Sequence, residues 1–495
     1  MLGIMTAIDP SPAPILDLLE GYRGHITDLE RGDTVDGDGL RRRRDQFAAY
    51  LKSAGICAGE RIVFAVANGP SFPAALAAVL SVGAAPILTH ATTTGSELLR
   101  TARAWHATWL LTDGEAGLRD AVVWQLHGAP GALRLGRVGE AAALGPAGVP
   151  LHPTSGTTAL PKLALRPGAA AVAEAAHYAS AMAITGSDRI LCSTPMSHAY
   201  AFGMAVMVPL VTGADVLTTP GFNPRVATRT LVSDAVTLFP AVPAMLPVLL
   251  RSGWRSAPHL RFLLTAGAPL PADIMSSFTA ATRIVPRSLL GTTESGGISV
   301  ALDNPRPHAV GRAMDGVEVR LASPAGGDEE IGQLEVRSAS MMAGYLTPAG
   351  IDVGVDAHGW FATGDLASIA ADGQIELLGR VTDVINVMGH KVLPSEVEAV
   401  IAAIPGVAEV KVYAGRHRGG DDIVQAAIVP ARAIDAEAVR RHCAAHLVAF
   451  KRPARVHILH ALPRTPSGKV VVRDLPSARD ASAEAPPGVA RRHTR

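Results

Sequence analysis

The chain has 495 residues, a formal net charge of +1 and 48% apolar residues. That length exceeds one ordinary hydrophobic core and predicts two or more domains. The near-balanced charge excludes a nucleic-acid or polyanion partner recruited by bulk charge.

In chain order, the opening MLGIMTAIDPSPAP (1–14) lacks a basic region followed by a long apolar run and does not read as a signal peptide. No apolar run of about 18 residues occurs, so no membrane span is expected. Three dispersed cysteines, Cys57, Cys192 and Cys443, fit a reducing cytoplasm and show neither a disulfide framework nor metal-ligand spacing. RIVFAVA (61–67) reads as a buried strand, Pro70 as the start of a helix continuing through 74–82, and APILTH (85–90) as the next strand. A helix over about 96–106 and the strand TWLLTD (108–113) follow. The rhythm resumes with RILCSTP (189–195), a helix after His198, then ADVLTT (214–219), AVTLFP (235–240) and RFLLTAG (261–267). Such alternation predicts parallel sheets with helices on their faces and sites beyond the carboxyl ends of strands. The strand GQIELLGR (373–380) closes the large domain, and a small α/β unit runs on to about residue 473. The polar segment 476–495 reads as a disordered tail.

Two segments carry most of the chemistry: TSGTTALPK (154–162) and TPSGKVVVR (465–473). The chain holds six lysines against thirty-nine arginines, yet each of these segments contains one, Lys162 and Lys469. A compact ammonium at a crowded phosphate is the reason to keep lysine there, since a planar guanidinium fork is not equivalent. The first segment is not a Walker A loop, because Pro161 precedes Lys162 and Leu163 follows it. Thr154, Ser155, Thr157 and Thr158 around Gly156 instead form a run of hydroxyl donors suited to phosphate oxygens. Alone, such a loop is also an ordinary turn.

The order of segments resembles the adenylate-forming superfamily of acyl-CoA synthetases, adenylation domains and luciferases, over residues from about 15 to about 475. The matching segments are 154–162 (the phosphate loop), GTTE (291–294), TGD (363–365), GRVTDVINVMGHKVLPSEVE (379–398), FKRP (450–453) and SGK (467–469). The resemblance implies a large N-terminal domain of parallel and mixed sheets flanked by helices, residues 1–379. It also implies a hinge at 380–383 centred on Thr382, and a small mobile α+β C-terminal domain at 384–475. It implies that Lys469 is catalytic, rather than a solvated loop lysine, and that Glu294 binds Mg2+, rather than only opening a helix. Asp365 and Arg380 would hold the ribose and nucleotide, with Gly267, Ala268, Gly291, Thr292 and Thr293 completing the ATP contacts. His198 would join Lys469 as a catalytic residue and close the acyl pocket, its alternative being a helix-start histidine bonded to its neighbours. Tyr200, Phe202, Gly203, Ala241 and Ala266 would line that pocket, and Gly389 the pantetheine path.

Departures accompany the match. Leu290 stands where an aromatic residue usually stacks on adenine, Ala159 replaces a loop glycine, and Thr382 takes a hinge position usually held by aspartate or lysine. No acidic residue occurs over 196–209, where amino-acid-activating relatives place an aspartate, which points to an acid without a free α-amino group. The expected activity is an ATP-dependent carboxylic acid–thiol ligase using ATP, Mg2+ and CoA, acting on a small-molecule carboxylic acid. The alternatives are loading of an acyl carrier protein through its phosphopantetheine, diversion to another acceptor such as nitrite chemistry, and a non-catalytic nucleotide-binding protein.

Overall fold

A computed structural model describes residues 11–114, 122–125, 132–140, 145–154, 162–303, 305–306, 308–322, 330–347, 350–387, 390–416, 422–464 and 470–476. The chain divides into two compact units. The first comprises Met1–Ala322, Leu334–Thr363 and Ile369–Glu376, the second Ser323–Gln333, Gly364–Ser368 and Leu377–Arg495.

In the first unit, a continuous parallel ladder joins His25–Asp28, Asp215–Thr218, Arg189–Cys192, Leu238–Ala241, Phe262–Thr265 and Arg287–Thr292, in that order. Gly296–Val300 then returns antiparallel to Arg287–Thr292. The crossover helices Pro224–Ser233, Met245–Arg251 and Ala272–Thr282 pack Leu231, Leu246 and Phe278 against Phe239 and Leu263 of the strands. Trp254 is fully buried in the same cluster. Truncating one such aromatic typically costs about 3–5 kcal/mol. Strands buried on both faces need no alternation, which is why FLLT and LFPA read as continuous apolar runs.

A second, nine-stranded sheet contains Ala85–Leu88, Arg61–Ala65 and Trp109–Thr112 in parallel, flanked by Leu151–Pro153 and Leu163–Leu165 on one side. The helix Gly95–Ala104 sets Leu98 and Ala102, four residues apart, against this sheet. Ser71–Ser81 is instead buried around most of its circumference, as an apolar helix enclosed within the unit must be. Its Pro70 is the N-cap, just before the first turn.

The second unit has its own core. Val407–Arg416 pairs antiparallel with Asp422–Pro430, which pairs in parallel with Arg455–Ile458. Helices Pro394–Ala402 and Ala436–His446 bury Val397, Ile401 and Val439 against Val412, Ala426 and Ile428. This is the α/β architecture expected, a large domain of mixed sheets and helices with a smaller one after it.

Local differences have physical causes. The helix after His198 is broken: Ala199–Phe202 passes into a π-helical turn, Gly203–Met207, before Val208–Thr212 resumes α geometry. TGD does not follow a strand but lies inside Phe361–Ile369, where Gly364 at φ +75° supplies a backbone conformation that other residues resist. No helix among the described residues is long and apolar enough to cross a membrane.

Candidate active site

The phosphate-loop segment begins and ends in a β-hairpin. Leu151–Pro153 and Leu163–Leu165 pair antiparallel, with Pro153 opposite Leu163. The Thr154 N–H donates to the Lys162 carbonyl at 2.8 Å, closing the loop at its base. Lys162 is exposed, and Thr154 is buried. Ser155, Gly156, Thr157 and Thr158 lie outside the described residues.

GTTE occupies the end of Arg287–Thr292 and the turn after it. The ladder slips register between Leu290 and Gly291. A Cβ on Gly291 would meet the Gly296 carbonyl oxygen at 2.8 Å, so only glycine lets the two strands approach this closely. Ser295 N–H donates to Thr292 Oγ1 at 3.0 Å and fixes the turn. The Thr293 carbonyl accepts from Arg166 Nη1 at 2.8 Å. Leu290 is buried within its strand.

Arg166 belongs to a buried charge pair. Its Nη2 donates to Glu174 Oε2 at 2.7 Å, and both side chains are 2% exposed. Glu174 Oε1 accepts from the Tyr178 hydroxyl and from the Gly297 N–H, each at 3.2 Å. A carboxylate so enclosed is tolerable only because its oxygens are met by charge and hydrogen bonds. Burial, with Glu174 beside it, holds the Tyr178 phenol firmly protonated. The network thus grips both sides of the 293–297 turn and fixes the segment that presents Glu294.

Glu294 is half-buried, and its Oε1 accepts from the Tyr345 hydroxyl at 2.7 Å. The Lys162 ammonium sits 4.6 Å from the centroid of the same tyrosine ring. Tyr345 lies on Gly344–Thr347, which pairs with Leu163–Leu165 and sets Tyr345 opposite Ala164. The preceding residues tie this strand to the Glu294 turn: Met342 N–H donates to the Glu294 carbonyl at 2.7 Å, and Ser340 Oγ to the Ser295 carbonyl at 2.7 Å. Thus the loop-end lysine and the turn carboxylate, 132 positions apart by their numbers, meet on one side chain. One carboxylate suits Mg2+, which keeps waters and substrate phosphates for the rest of its shell. Oε1 accepts from a neutral phenol, which does not cancel the carboxylate's charge, so the donor chemistry fits that ion.

His198 is the N-cap of Ala199–Phe202, its carbonyl accepting from Phe202 N–H at 2.8 Å, and its side chain makes no capping bond. The loop leading to it is pinned by buried Asn68, which donates to the Thr194 carbonyl at 2.9 Å and accepts from Met196 N–H at 2.8 Å. The His198 ring lies 6.0 Å from that of His90. Desolvation lowers the pKa of His90 and, with the added His90 charge, that of His198, which is nevertheless exposed to solvent, so the effect there is weaker. His90 Nδ1 accepts from Thr92 N–H at 3.1 Å, which places its proton on Nε2 when neutral.

The remaining pocket residues face different ways. The Tyr200 hydroxyl oxygen is buried with no hydrogen-bond partner among the described residues. Phe202 presents to His152 edge-on, centroids 4.9 Å apart. A Cβ on Gly203 would meet Glu174 Oε1 and the Tyr178 ring at 3.0 Å, so this glycine turns toward the buried charge network. Ala241 and Ala266 are buried at the carboxyl ends of adjacent parallel strands, followed by exposed Gly267 at φ +82° and half-buried Ala268.

In the second unit, Arg380 Nε lies 3.0 Å from Asp365 Oδ1, bringing together two residues that the sequence reading assigned to one nucleotide. A Cβ on Gly364 would make only ordinary contact with Arg380 Nη1, at 3.4 Å, so the glycine is required by its positive φ and not by crowding. Thr382 is exposed in the short turn Val381–Asp383 and donates from Oγ1 to Asp383 Oδ1 at 3.3 Å. In FKRP, Lys451 forms an ion pair with Glu396. Gly389 and Lys469 lie outside the described residues. The latter's segment is bracketed by a bridge between Arg464 and Val470.

Arg166, Glu174, Tyr345 and His90 were not singled out from sequence. An arginine in LALRP and a lone glutamate in an alanine-rich helix are signals of buried, paired charge. Tyr345 and His90 carry no comparable local mark.

The profile of the AMP-binding enzyme family matches residues 24–346, and that of the AMP-binding enzyme C-terminal domain matches 396–469. Among curated proteins, the feruloyl-CoA synthase of an Amycolatopsis species is 29% identical over 480 residues, covering 90% of this chain and 94% of the relative. The Mycobacterium tuberculosis 3-[(3aS,4S,7aS)-7a-methyl-1,5-dioxo-octahydro-1H-inden-4-yl]propanoyl:CoA ligase is 29% identical over 330 residues, an alignment spanning 64% of each chain. Among solved structures, ATP-bound MatB from Rhodopseudomonas palustris superposes with a TM-score of 0.80 at 23% identity, over 93% of this chain and 97% of that one. With profiles for both its large and its C-terminal part matched in order, the chain belongs to the AMP-binding enzyme family.

Proposed function

We propose that the protein is an ATP-dependent carboxylic acid–thiol ligase that makes an acyl thioester in two half-reactions. In the first, a carboxylate oxygen attacks the α-phosphate of ATP, the bond to the β-phosphate oxygen breaks, and acyl-adenylate and pyrophosphate result. In the second, a thiol attacks the acyl carbon, AMP leaves with the bonding pair of the acyl–oxygen bond, and the thiol proton passes to solvent. Splitting a difficult condensation into two activated steps is the gain.

The observation that supports this reading is the meeting of Lys162 and Glu294 on Tyr345, a cation and a carboxylate on one side chain that would serve the polyphosphate and its metal. When bound on Glu294, Mg2+ would neutralise charge on the departing pyrophosphate. The Thr154–Lys162 loop would hold the polyphosphate, Gly291, Thr292 and Thr293 with Gly267 and Ala268 the adenine side, and Asp365 with Arg380 the ribose. Lys469 would hold the carboxylate against the α-phosphate and offset charge in the pentacoordinate transition state. His198 would border the acyl site with Tyr200, Ala241 and Ala266. Thr382 would be the hinge between half-reactions, and Gly389 would leave room for pantetheine.

CoA is the favoured thiol, since the relatives above are named as CoA ligases and synthases. A carrier protein bearing phosphopantetheine is the second reading. The names of relatives also guide the choice of acids, which begins with hydroxycinnamates and fatty acids. Incubation with ATP, Mg2+, such a panel and either CoA or a phosphopantetheinylated carrier, followed by mass spectrometry, tests the proposal. It expects AMP and acyl-CoA in equal amounts from at least one acid. Formation of ADP in place of AMP, or adenylate without transfer to either thiol, would contradict it.

A further inference from the structure

The phosphate loop and the Glu294 turn belong to different strands, and Tyr345 joins them. Its position is built rather than incidental. Strand pairing sets it opposite Ala164, two residues from Lys162. Backbone and hydroxyl bonds from Ser340 and Met342 anchor its approach to Ser295 and Glu294. The ring is half-buried, with one hydroxyl aimed at Glu294 Oε1 at 2.7 Å and one face beneath the Lys162 ammonium at 4.6 Å. Each contact has its own chemistry: a neutral phenol donates to a carboxylate without cancelling its charge, and a ring face attracts an ammonium without taking its proton.

We propose that Tyr345 is a positioning residue of the nucleotide site, its hydroxyl fixing the Glu294 carboxylate for a magnesium nucleotide and its ring seating the Lys162 ammonium. The inference rests on the reading of Glu294 as the magnesium carboxylate. It goes beyond that reading by assigning the side chain that orients both charged groups. Hydroxyl and ring have separable parts. The hydroxyl acts only when the divalent ion is present, because it orients the ion's ligand. The ring acts with or without the ion, because it holds a phosphate-facing cation near the loop base.

The test is calorimetric and needs no turnover. Mg2+ is titrated into protein loaded with α,β-methylene-ATP, and the analogue is separately titrated into metal-free protein. Tyr345→Phe keeps the ring and should weaken Mg2+ binding about ten-fold, the usual scale for losing an outer partner of a metal ligand. Its metal-free nucleotide affinity should stay within about two-fold, because the ring's cation contact is retained. Tyr345→Leu should lose Mg2+ affinity similarly and metal-free nucleotide affinity about three-fold as well. Glu294→Gln is the reference, and adding Tyr345→Phe to it should produce no further loss of Mg2+ affinity. A purely structural tyrosine would lower thermal stability in all these variants without separating metal-dependent from metal-free binding. If Glu294→Gln weakens Mg2+ binding while Tyr345→Phe does not, or if their losses multiply in the double variant, the proposal is overturned and the magnesium reading stands. If Glu294→Gln itself leaves Mg2+ binding unchanged, the magnesium reading falls and the proposal with it.

Discussion

Two arginine–carboxylate pairs lie at the segments proposed to hold the nucleotide, and they differ in enclosure. Arg166 and Glu174 lie 2.7 Å apart, each 2% exposed, with Tyr178 and the Gly297 N–H completing the carboxylate's bonds. Arg380 and Asp365 lie 3.0 Å apart with side chains 47% and 11% exposed. The enclosed pair cannot exchange a partner for a ligand without leaving a bare charge in a low-dielectric interior. The second pair is open on one side only: its arginine is half in water while Asp365 is buried, so the guanidinium is the partner that can turn to a ligand. One pair therefore holds the shape of a turn, while the other keeps its arginine accessible. Residue identity alone does not separate the two roles. Enclosure does.

The largest effect should follow from breaking the enclosed pair. Glu174→Ala strands the Arg166 guanidinium and should lower stability by about 3–5 kcal/mol, read as a fall in the denaturation midpoint. A loss below about 1 kcal/mol would mean that the pair is not the lock described here. Asp365→Asn sharpens the contrast from the other side. It should cost clearly less stability than Glu174→Ala while weakening ATP binding about ten-fold, the scale of a charged hydrogen bond to a ligand. A stability loss as large as that of Glu174→Ala would erase the distinction.

Acid tests the enclosed region a third way. His152 is buried beside Phe202, and its ring nitrogens have no partner among the described residues. Burial, with the Arg166 and His198 charges, pushes its pKa from 6.5 down to about 3. The unfolded chain then takes up this proton before the folded one does. Stability is full above about pH 6.5 and falls as the pH drops toward 3, with a limiting slope of about 1.4 kcal/mol per pH unit. His152→Leu should flatten the loss between pH 6 and pH 5 in denaturant titrations. An unchanged slope would remove His152 as its source.

The candidate residues of the short motifs could be picked out before the fold. Thr154, Lys162, Glu294, Asp365 and Arg380 sit in short motifs whose spacing along the chain reflects local turns and strand ends. The lock was not legible, because its contacts cross long intervals: Glu174 meets Gly297, and Tyr345 meets both Lys162 and Glu294. Gly203 teaches the same point. Its neighbours in PMSHAYAFGM invite an acyl-pocket assignment, yet its missing Cβ makes room for Glu174 and Tyr178. The π-helical turn at Gly203–Met207 is equally silent in sequence, since apolar residues there fit α and π geometry alike. Parallel strands with apolar runs were predicted well because burial on both faces leaves a simple signature. Their ends shifted by one to three residues, where caps rather than patterns decide.

The smallest expected change in the first half-reaction comes from Thr382→Pro. A proline fixes φ near −65° and would trap one arrangement of the hinge proposed there. Pyrophosphate release should then stay near the native rate while thioester formation falls. Equal survival of both half-reactions would move the hinge elsewhere, to Asp383 first.

The central claim is that this chain activates a carboxylate as an adenylate, with Lys469 supplying the charge that the transition state requires. Acid-dependent exchange of labelled pyrophosphate into ATP reads that step directly, without any thiol. The native protein should exchange label only when a substrate acid is present, and Lys469→Ala should exchange about 100-fold more slowly while still binding ATP. Exchange by the variant at the native rate, or exchange by the native protein that no acid accelerates, would contradict the account.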